Sequence, residues 1–523
     1  MRLGIDFCTT RIVLAAVDRG NYPVIGFEDS EGSVQEWFPP FIAVCGDERR
    51  YGWDAWAVQG NKDWTIVRSL KRSLEDAGPS TPLQIGEQQF PMIQILGELA
   101  SALKVAILER STMPANDREE LEIVLGVPAN ANSNQRFLTV EPFQRAGFSV
   151  LGLLNEPSAA SIEYGHRHRG SEALEQMLVY DLGGGTFDAS LVRIDGRSHT
   201  VVASEGVSNV GGDDFDLILA DMAVAAAGLS MDDLTQGEIF RLYEESRSKK
   251  ESLHPNTRRI VVDLGAVREG LQEVTVPAAE FYAACEPLVT KTVDATQRLL
   301  DTYDEGKRLD ALYVTGGGSE LPLVSRLLRE VFGRRVKRSA YTRSATAIGL
   351  AIQADVQAGY VLRERFTRHF GVWREGDEGR TMTLDVLFPK NTRLPAAGEE
   401  PLTIERTYSP VHNIGHFRYV ECSHQTDEGR PTGDIAVWDE IRFPFDPALA
   451  SKDALESASV AHSPEASSQA IEEKYICNSA GSVEVEISNL SAGYTRRYRL
   501  GRWAGKETPV VPGKKKKSRA EVR

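Results

Sequence analysis

Two aspartates, each closing an apolar run and opening a tight turn of small residues, are the groups best placed to do chemistry. Asp6 stands in "LGIDFCTTRIVLAAVD" and Asp181 in "VYDLGGGTFDAS". Gly183, Gly184 and Gly185 let backbone amides turn inward and approach an anion more closely than a side chain would allow. Carboxylates on facing turns suit a hydrated Mg²⁺, which keeps several waters and reaches phosphates through few protein ligands. The hydroxyls of Thr9, Thr10 and Thr186 add phosphate contacts. Such a set serves hydrolysis or transfer at a terminal phosphate, where positioning and charge stabilisation do most of the work. A plain tight hairpin uses the same glycines, and that one turn does not separate the two readings.

The elements that must position these residues follow from periodicity. Residues 1 to about 355 alternate short apolar strands with helical stripes, as α/β folds do. "LEIVLGVP" reads as a strand, preceded by a buried helical stripe at Leu96, Leu99, Leu103 and Ile107 and followed by a helix in "NSNQRFLTVEPFQRAG". The Asp6 and Asp181 segments resemble each other, as do "EIVLGVPANAN" and "LYVTGGGSELP", which implies two related lobes facing a shared cleft. Beyond residue 360 the helical stripes vanish. "TMTLDVLF", "TIERTYS", "HFRYVECS", "KYICN", "SVEVEISN" and "TRRYRLGRW" read as strands of an all-β module, with Ser451 to Ala470 as a mobile loop within it. The tail "VVPGKKKKSRAEVR" reads as a solvated, disordered end.

Composition narrows the class. A chain of 523 residues with 41% hydrophobic content has room for several cores. Its five cysteines lack metal or disulfide spacing, which fits a reducing cytoplasm. The amino terminus is too brief in its apolar run for a signal peptide, and no stretch approaches membrane-spanning length. A net charge of −15 disfavours nucleic acid as a partner. The run Lys514 to Lys517 reads as a solubility tail, and His166 and His168, without further ligands, as surface loop residues. There is no GxxxxGK[ST], so the site is not a P-loop, and no GxGxxG follows the first strand.

Eight segments in order, "GIDFCTT", "LKR", "GVPANANSNQR", "NEPSAASIEYG", "DLGGGTFD", "NVGGDDFD", "VTGGGSELP" and "ATAIGLAIQA", resemble the 70-kilodalton heat-shock chaperone family, DnaK-like members of the actin-like ATPase superfamily. The resemblance implies an α/β actin-like ATPase domain of two ribonuclease-H-like lobes over residues 1–357, a linker over 358–372, a β-sandwich substrate-binding-like domain over 373–505 and a disordered basic tail over 506–523. It implies ATP or ADP with Mg²⁺ as cofactors. Lys71 matches the lysine that orients the attacking water, and the bland alternative is a solvated basic patch with Arg68 and Arg72. Glu156 matches an acidic residue of metal and water positioning. Thr186 and Asp188 match a pair near the γ-phosphate, and Asp6 and Asp181 match aspartates around Mg²⁺, through water. Gly211, Gly212 and Asp213 resemble the ribose and phosphate loop, Lys250 the lysine of the nucleoside pocket, and Gly316, Gly317 and Gly318 the adenosine-side loop. Pro128 and Arg136 match residues that relay nucleotide state. Cys8 stands where glycine is usual and is expected to point away from the nucleotide. Arg247, His254 and Arg343 stand where Glu, Ser and Asp are usual, which places the departures at the adenine pocket.

The carboxy-terminal resemblance is fainter, carried by "FPKNTRLP" and "SAGSVEVEISN". It implies that extended or unfolded polypeptide is held by β-augmentation, with a J-domain co-chaperone and a nucleotide exchange factor as possible partners. The charged "GYVLRERFTRHFGVW" replaces a leucine-rich linker, and no helical lid is expected after the sandwich. Two other readings stay open, a nucleotide-switched scaffold that binds a folded partner and a phosphotransferase of the same superfamily.

Overall fold

The computed structural model describes residues 1–74, 77–78, 81–113, 120–168, 175–303, 309–376, 381–395, 399–426, 429–478 and 481–500. The basic tail and its lysine run lie outside the described residues. The chain forms two compact units, Met1–Arg368 with Lys390–Ala396, and His369–Pro389 with Ala397–Arg523.

Apolar runs without polar alternation form the central strands of the first unit, as expected for strands covered on both faces. Its first sheet holds β1 (Arg2–Phe7), β2 (Ile12–Ala16), β3 (Glu122–Val127) and β4 (Ser149–Asn155) in the order β4-β3-β1-β2. Its second sheet holds β5 (Glu175–Leu182), β6 (Phe187–Asp195), β7 (Ser198–Val207), β8 (Ala311–Thr315), β9 (Val336–Arg338) and β10 (Val361–Arg363) in the order β9-β8-β5-β6-β7-β10. The internal repeat is visible in the pairing. β1 runs antiparallel to β2 and parallel to β3, and β5 runs antiparallel to β6 and parallel to β8.

Helices fill the connections: α1 (Met92–Glu109), α2 (Ser133–Arg145), α3 (Glu156–Arg167), α4 (Gly212–Ala226), α5 (Gln236–Glu251), α6 (Ala278–Tyr303), α7 (Pro322–Phe332) and α8 (Ala345–Ala354). The predicted stripe of Leu96, Leu99, Leu103 and Ile107 is the buried face of α1. Asn132 starts α2 with a reciprocal capping box to Gln135. The cleft is braced from behind by α3 and α8. Ala160 and Tyr164 of α3 pack with Met177 and Val179 of β5, while Ala347 and Ala351 of α8 pack with Val13 and Ala15 of β2. The two helices touch at backbone distance, because a Cβ on Gly349 would lie 1.9 Å from the Ala159 carbonyl oxygen.

The second unit is antiparallel throughout. One sheet is ordered β12-β11-β14-β15 from β11 (His369–Gly376), β12 (Thr381–Phe388), β14 (Ile414–Gln425) and β15 (Pro431–Pro444). The other is ordered β13-β16-β17-β18 from β13 (Leu402–Tyr408), β16 (Ile471–Cys477), β17 (Val483–Asn489) and β18 (Tyr494–Arg499). The sheets meet through Tyr419 and Tyr475, with ring centroids 6.1 Å apart, and through a bidentate pair in which Arg374 donates to the buried Glu473 at 2.8 and 2.6 Å.

Three expectations need correction, and one strand had no counterpart among them. The stretch expected as a linker is regular structure: Val361–Arg363 pairs with β7 at the edge of the second sheet, and His369–Gly376 is an inner strand of the second unit. Its inward series Phe370, Val372 and Arg374 ends on an arginine, which hides the alternation. β15 was also unrecognised, since bulges at Tyr419/Val420 and Cys422/His424 interrupt its pairing with β14 and leave Ile435 and Val437 exposed. Ser451 to Ala470 contains helical turns at Lys452–Ser457 and Pro464–Ser467. Within "FPKNTRLP", Asn391 belongs to the first unit, where it donates to Tyr303 Oη at 2.7 Å.

A Gly349→Ala substitution is expected to lower the thermal midpoint despite alanine's better helix propensity, at a cost of about 1–3 kcal/mol. Differential scanning calorimetry checks this, and an unchanged or raised midpoint contradicts the close α3–α8 crossing.

Candidate functional site

The two hairpin turns meet across the cleft of the first unit. A Cβ on Gly184 would lie 3.0 Å from Thr10 Oγ1, and one on Gly185 would lie 2.5 Å from Thr9 Oγ1. Two further glycine loops pack onto the β5–β6 turn. Gly212 N donates to Gly183 O at 2.9 Å and Asp213 N to Gly184 O at 2.8 Å. Gly316 holds φ +82°, and a Cβ there would lie 2.3 Å from the Leu182 carbonyl oxygen and 2.4 Å from Asp181 Oδ1, so only glycine fits. The amides of Gly183, Gly211, Gly212, Asp213 and Gly316 are therefore bonded within the protein. At these positions the glycines serve loop-on-loop packing.

A short turn carries Lys71 into the cleft. Ser69 adopts φ +57°, a costly value for a residue with a side chain, and its hydroxyl donates to Asp213. Arg68 pairs with Asp213 at 2.7 Å and Arg72 with Asp214 at 2.7 Å, both at the start of α4. Between these anchors Lys71 Nζ reaches Glu156 Oε1 at 2.6 Å. The three basic residues are thus a clamp, and the reading as a solvated patch is set aside.

Around that ion pair stand Asp6, Asp181 and Asp188, all buried. Burial, then the neighbouring Glu156, pushes both Asp6 and Asp188 up to about 7. Burial with Glu156, Asp6 and Asp188 holds Asp181 well above the ordinary carboxylate range. Burial opposes the Lys71 ammonium, but Glu156, Cys8 and Asp6 outweigh it and raise its pKa. Asp188 accepts from Ala129 N at 3.1 Å, which ties the turn after Pro128 to the opposite lobe. Asp6 Oδ1 has no hydrogen-bond partner. An orphaned carboxylate oxygen among like charges fits a cation. Among the described residues no three acidic, histidine or cysteine groups converge as direct ligands, so the fit is to a hydrated ion held through water.

The cleft, with the solvent-open space at its mouth included, measures about 750 Å³. Asp6, Thr10, Glu156, Asp181, Thr186 and Asp188 line it, with Gly183, Gly184, Gly212, Lys250 and Gly316 to Gly318. Thr9, Gly185, Gly211 and Asp213 do not line it, and Lys71 meets it through its contact with Glu156. Arg136 lies beside the cleft, donating to Asn155 Oδ1 at 2.9 Å, and Asn155 N donates to Glu364. Cys8 corrects its expectation: it lines the cleft, and burial, then the neighbouring Asp6, raises its pKa far above the usual thiol value. His254 is exposed on a loop. His166 and His168 pack against Tyr22 and Tyr164.

Sequence reasoning named Lys250, Arg247 and Arg343 at one wall of the cleft and missed Arg11 and Glu251, which complete it. Arg11 donates to Glu251 at 2.7 Å, Arg343 reaches Glu251 at 2.9 Å and Glu320 at 2.6 Å, and Lys250 pairs with Asp216 at 2.6 Å. Burial resists the Glu251 charge, but Arg11, Arg343 and Arg247 hold its pKa down at about 2. The only signal was the unusual arginine at 247 and 343.

With paired lobes, facing hairpins and a carboxylate-lined cleft established, the kinship of the chain can be stated. A family model described as Hsp70 protein matches residues 2–367, and the chain belongs to the Hsp70 family. It is 32% identical over 425 residues to chaperone protein HscA of Klebsiella pneumoniae (strain 342), covering 76% of this chain and 65% of that protein. It is 34% identical over 423 residues to an HscA homolog of Methylibium petroleiphilum, covering 77% and 66%, and 30% identical over 434 residues to one of Pseudomonas fluorescens (strain SBW25), with 77% and 66% covered. The matches thus span just under two thirds of the length of these relatives.

The raised carboxylates carry a signed prediction. Asp6 and Asp188 bind protons more tightly folded than unfolded, so their cost is small near pH 4, grows as pH rises and is complete above about pH 7. Asp6→Asn and Asp188→Asn are expected to stabilise the ligand-free protein at pH 8 by about 1–3 kcal/mol, and by less at pH 5. Thermal melts at both pH values decide it, and an equal gain at the two contradicts the electrostatic cause.

Proposed function

We propose that the cleft binds ATP and hydrolyses it slowly, and that the second unit recognises extended or unfolded polypeptide. The observation that carries the first half is the buried Lys71–Glu156 ion pair ringed by Asp6, Asp181 and Asp188 beneath two facing hairpin turns. Membership of the Hsp70 family and the word chaperone in the names of its relatives support the second half. In this reading residues 1–357 are the ATPase domain and 373–505 the substrate-binding-like domain, although the first unit itself runs to Arg368.

Thr10 and Thr186 offer hydroxyls to the phosphate chain from opposite lobes. Lys71, already held by Glu156, places its ammonium beside the γ-phosphate and orients the attacking water. Asp188, fixed by Ala129 N, is poised to take a proton from that water. Asp6 and Asp181 would hold Mg²⁺ through water, and the ion would supply charge neutralisation at the phosphates. Pro128, Ala129 and Arg136 connect this centre to Asn155 and Glu364, a route by which nucleotide state is relayed toward the end of the domain. A J-domain protein and an exchange factor are the partners this cycle requires. No helix among the described residues is long and apolar enough to cross a membrane.

Lys71→Ala is expected to cut ATP turnover by about 10²–10³-fold, the loss typical of one preorganised charge-stabilising group, while Mg·ATP still binds. Steady-state phosphate release and calorimetric titration read the two quantities separately. Unchanged turnover removes Lys71 from the mechanism. A rise in wild-type turnover on adding an unfolded peptide is the expected sign that the polypeptide site and the cleft are coupled.

A further inference from the structure

The cleft has two chemically different regions. The hairpin turns and carboxylates suit phosphates. The rest of the lining, which a nucleoside must face, is built from Arg11, Arg247, Lys250, Glu251 and Arg343 with the Gly316–Gly318 loop and Thr342. Reading one base against another takes apolar faces that enclose it and unpaired donors and acceptors at its edge. A site whose polar groups are matched to one edge rejects analogues by factors of about 10⁴–10⁵, while a site without them hardly discriminates.

This wall lacks the enclosing aromatic and aliphatic faces, and it leaves only two guanidinium nitrogens unpaired. No aromatic residue lines the cleft, and Val13 is the one aliphatic side chain that does, among the described residues. The Trp37 ring is covered by Arg11 at 5.0 Å and Arg247 at 5.5 Å from its centre. The edge-reading groups are already committed. Both Glu251 oxygens accept from Arg11 and one also from Arg343, whose remaining nitrogens donate to Glu320. Lys250 is held by Asp216 and the Gly212 carbonyl. The buried donors left without partners, Arg11 Nε and Arg247 Nη1, find an acceptor on every one of the four common bases, and a guanidinium face stacks on any of them.

We propose that this cleft reads the phosphate chain and ignores the base, so that its ligand class is nucleoside triphosphates in general. The inference rests on the nucleotide reading given above. The lattice Arg11–Glu251–Arg343–Glu320 occupies the carboxylates and most of the guanidinium donors that a base would use, and it joins the β1–β2 turn, the end of α5, the loop after β8 and the loop before α8.

The test is calorimetric titration of the full chain, with Mg²⁺ present, against ATP, GTP, CTP, UTP and tripolyphosphate. The four nucleotides are expected to bind within about threefold of one another, and tripolyphosphate within about tenfold of them. A preference of more than about tenfold for any one base overturns the inference and leaves the nucleotide reading standing. Silence from all five ligands overturns both. Glu251→Gln sharpens the test, since it releases Arg11 and Arg343 and supplies a carboxamide that pairs with the amino group and ring nitrogen of adenine. ATP is expected to gain about tenfold over CTP in this variant. If the variant melts like the wild type and still treats all bases alike, the lattice is not what blinds the cleft and the inference fails.

Discussion

Like charges a few ångströms apart in a poorly hydrated cleft repel strongly, by about 4 kcal/mol for a pair at 4 Å with an effective dielectric of 20. Asp6, Glu156, Asp181 and Asp188 crowd around one ammonium, that of Lys71, since Lys250 elsewhere in the cleft is taken by Asp216. One pairing leaves three carboxylates without a counter-charge, and burial first, then repulsion from the neighbouring carboxylates, raises the pKa values of Asp6, Asp181 and Asp188. The rest of the first unit holds this unfavourable group together. Each lobe contributes a hairpin that presents one aspartate. α3 presents Glu156 at its first turn, and the Arg68–Arg72 clamp brings Lys71 to it. A ligand bearing phosphate and a divalent cation relieves what the protein alone cannot, so the stored repulsion becomes binding selectivity.

Holding two lobes at that separation requires their loops to approach at backbone distance. Gly211, Gly316 and Gly349 each sit where a Cβ would collide with a carbonyl or another loop. The first two seat the glycine loops on the β5–β6 turn, and the third lets α3 and α8 cross. This divides the labour among glycines that look alike in sequence. Some line the cleft, as Gly183, Gly184, Gly317 and Gly318 do, while others exist so that the lining loops fit together.

The internal repeat, the strand and helix pattern of the first unit and the aspartates at the hairpins were legible because they depend on local residue type and spacing. Six of the eight strands in the second unit were legible for the same reason. What was not legible involves pairs distant in sequence. β11 stayed hidden because Arg374 at an inward position reads as surface until Glu473, about a hundred residues away, is placed opposite it. The role of Arg11 depends on Glu251, 240 residues on. Arg68 and Arg72 read as solvated until Asp213 and Asp214 are brought beneath them. An isolated charge in a sequence looks like surface, and its burial is decided by a partner whose position only the fold supplies.

The charged wall and the carboxylate cluster solve opposite problems. At Asp6 and Asp188 like charges are crowded and left for a ligand to neutralise. At Glu251 each charge is met by a protein counter-charge, which keeps the carboxylate ionised with its pKa near 2. A saturated network gains little from any incoming group, because a new hydrogen bond there only replaces an existing one. An unsaturated cluster gains most from the ligand that brings the missing charge. Selectivity should therefore concentrate where the protein is frustrated, at the phosphates, and fade where it is already satisfied.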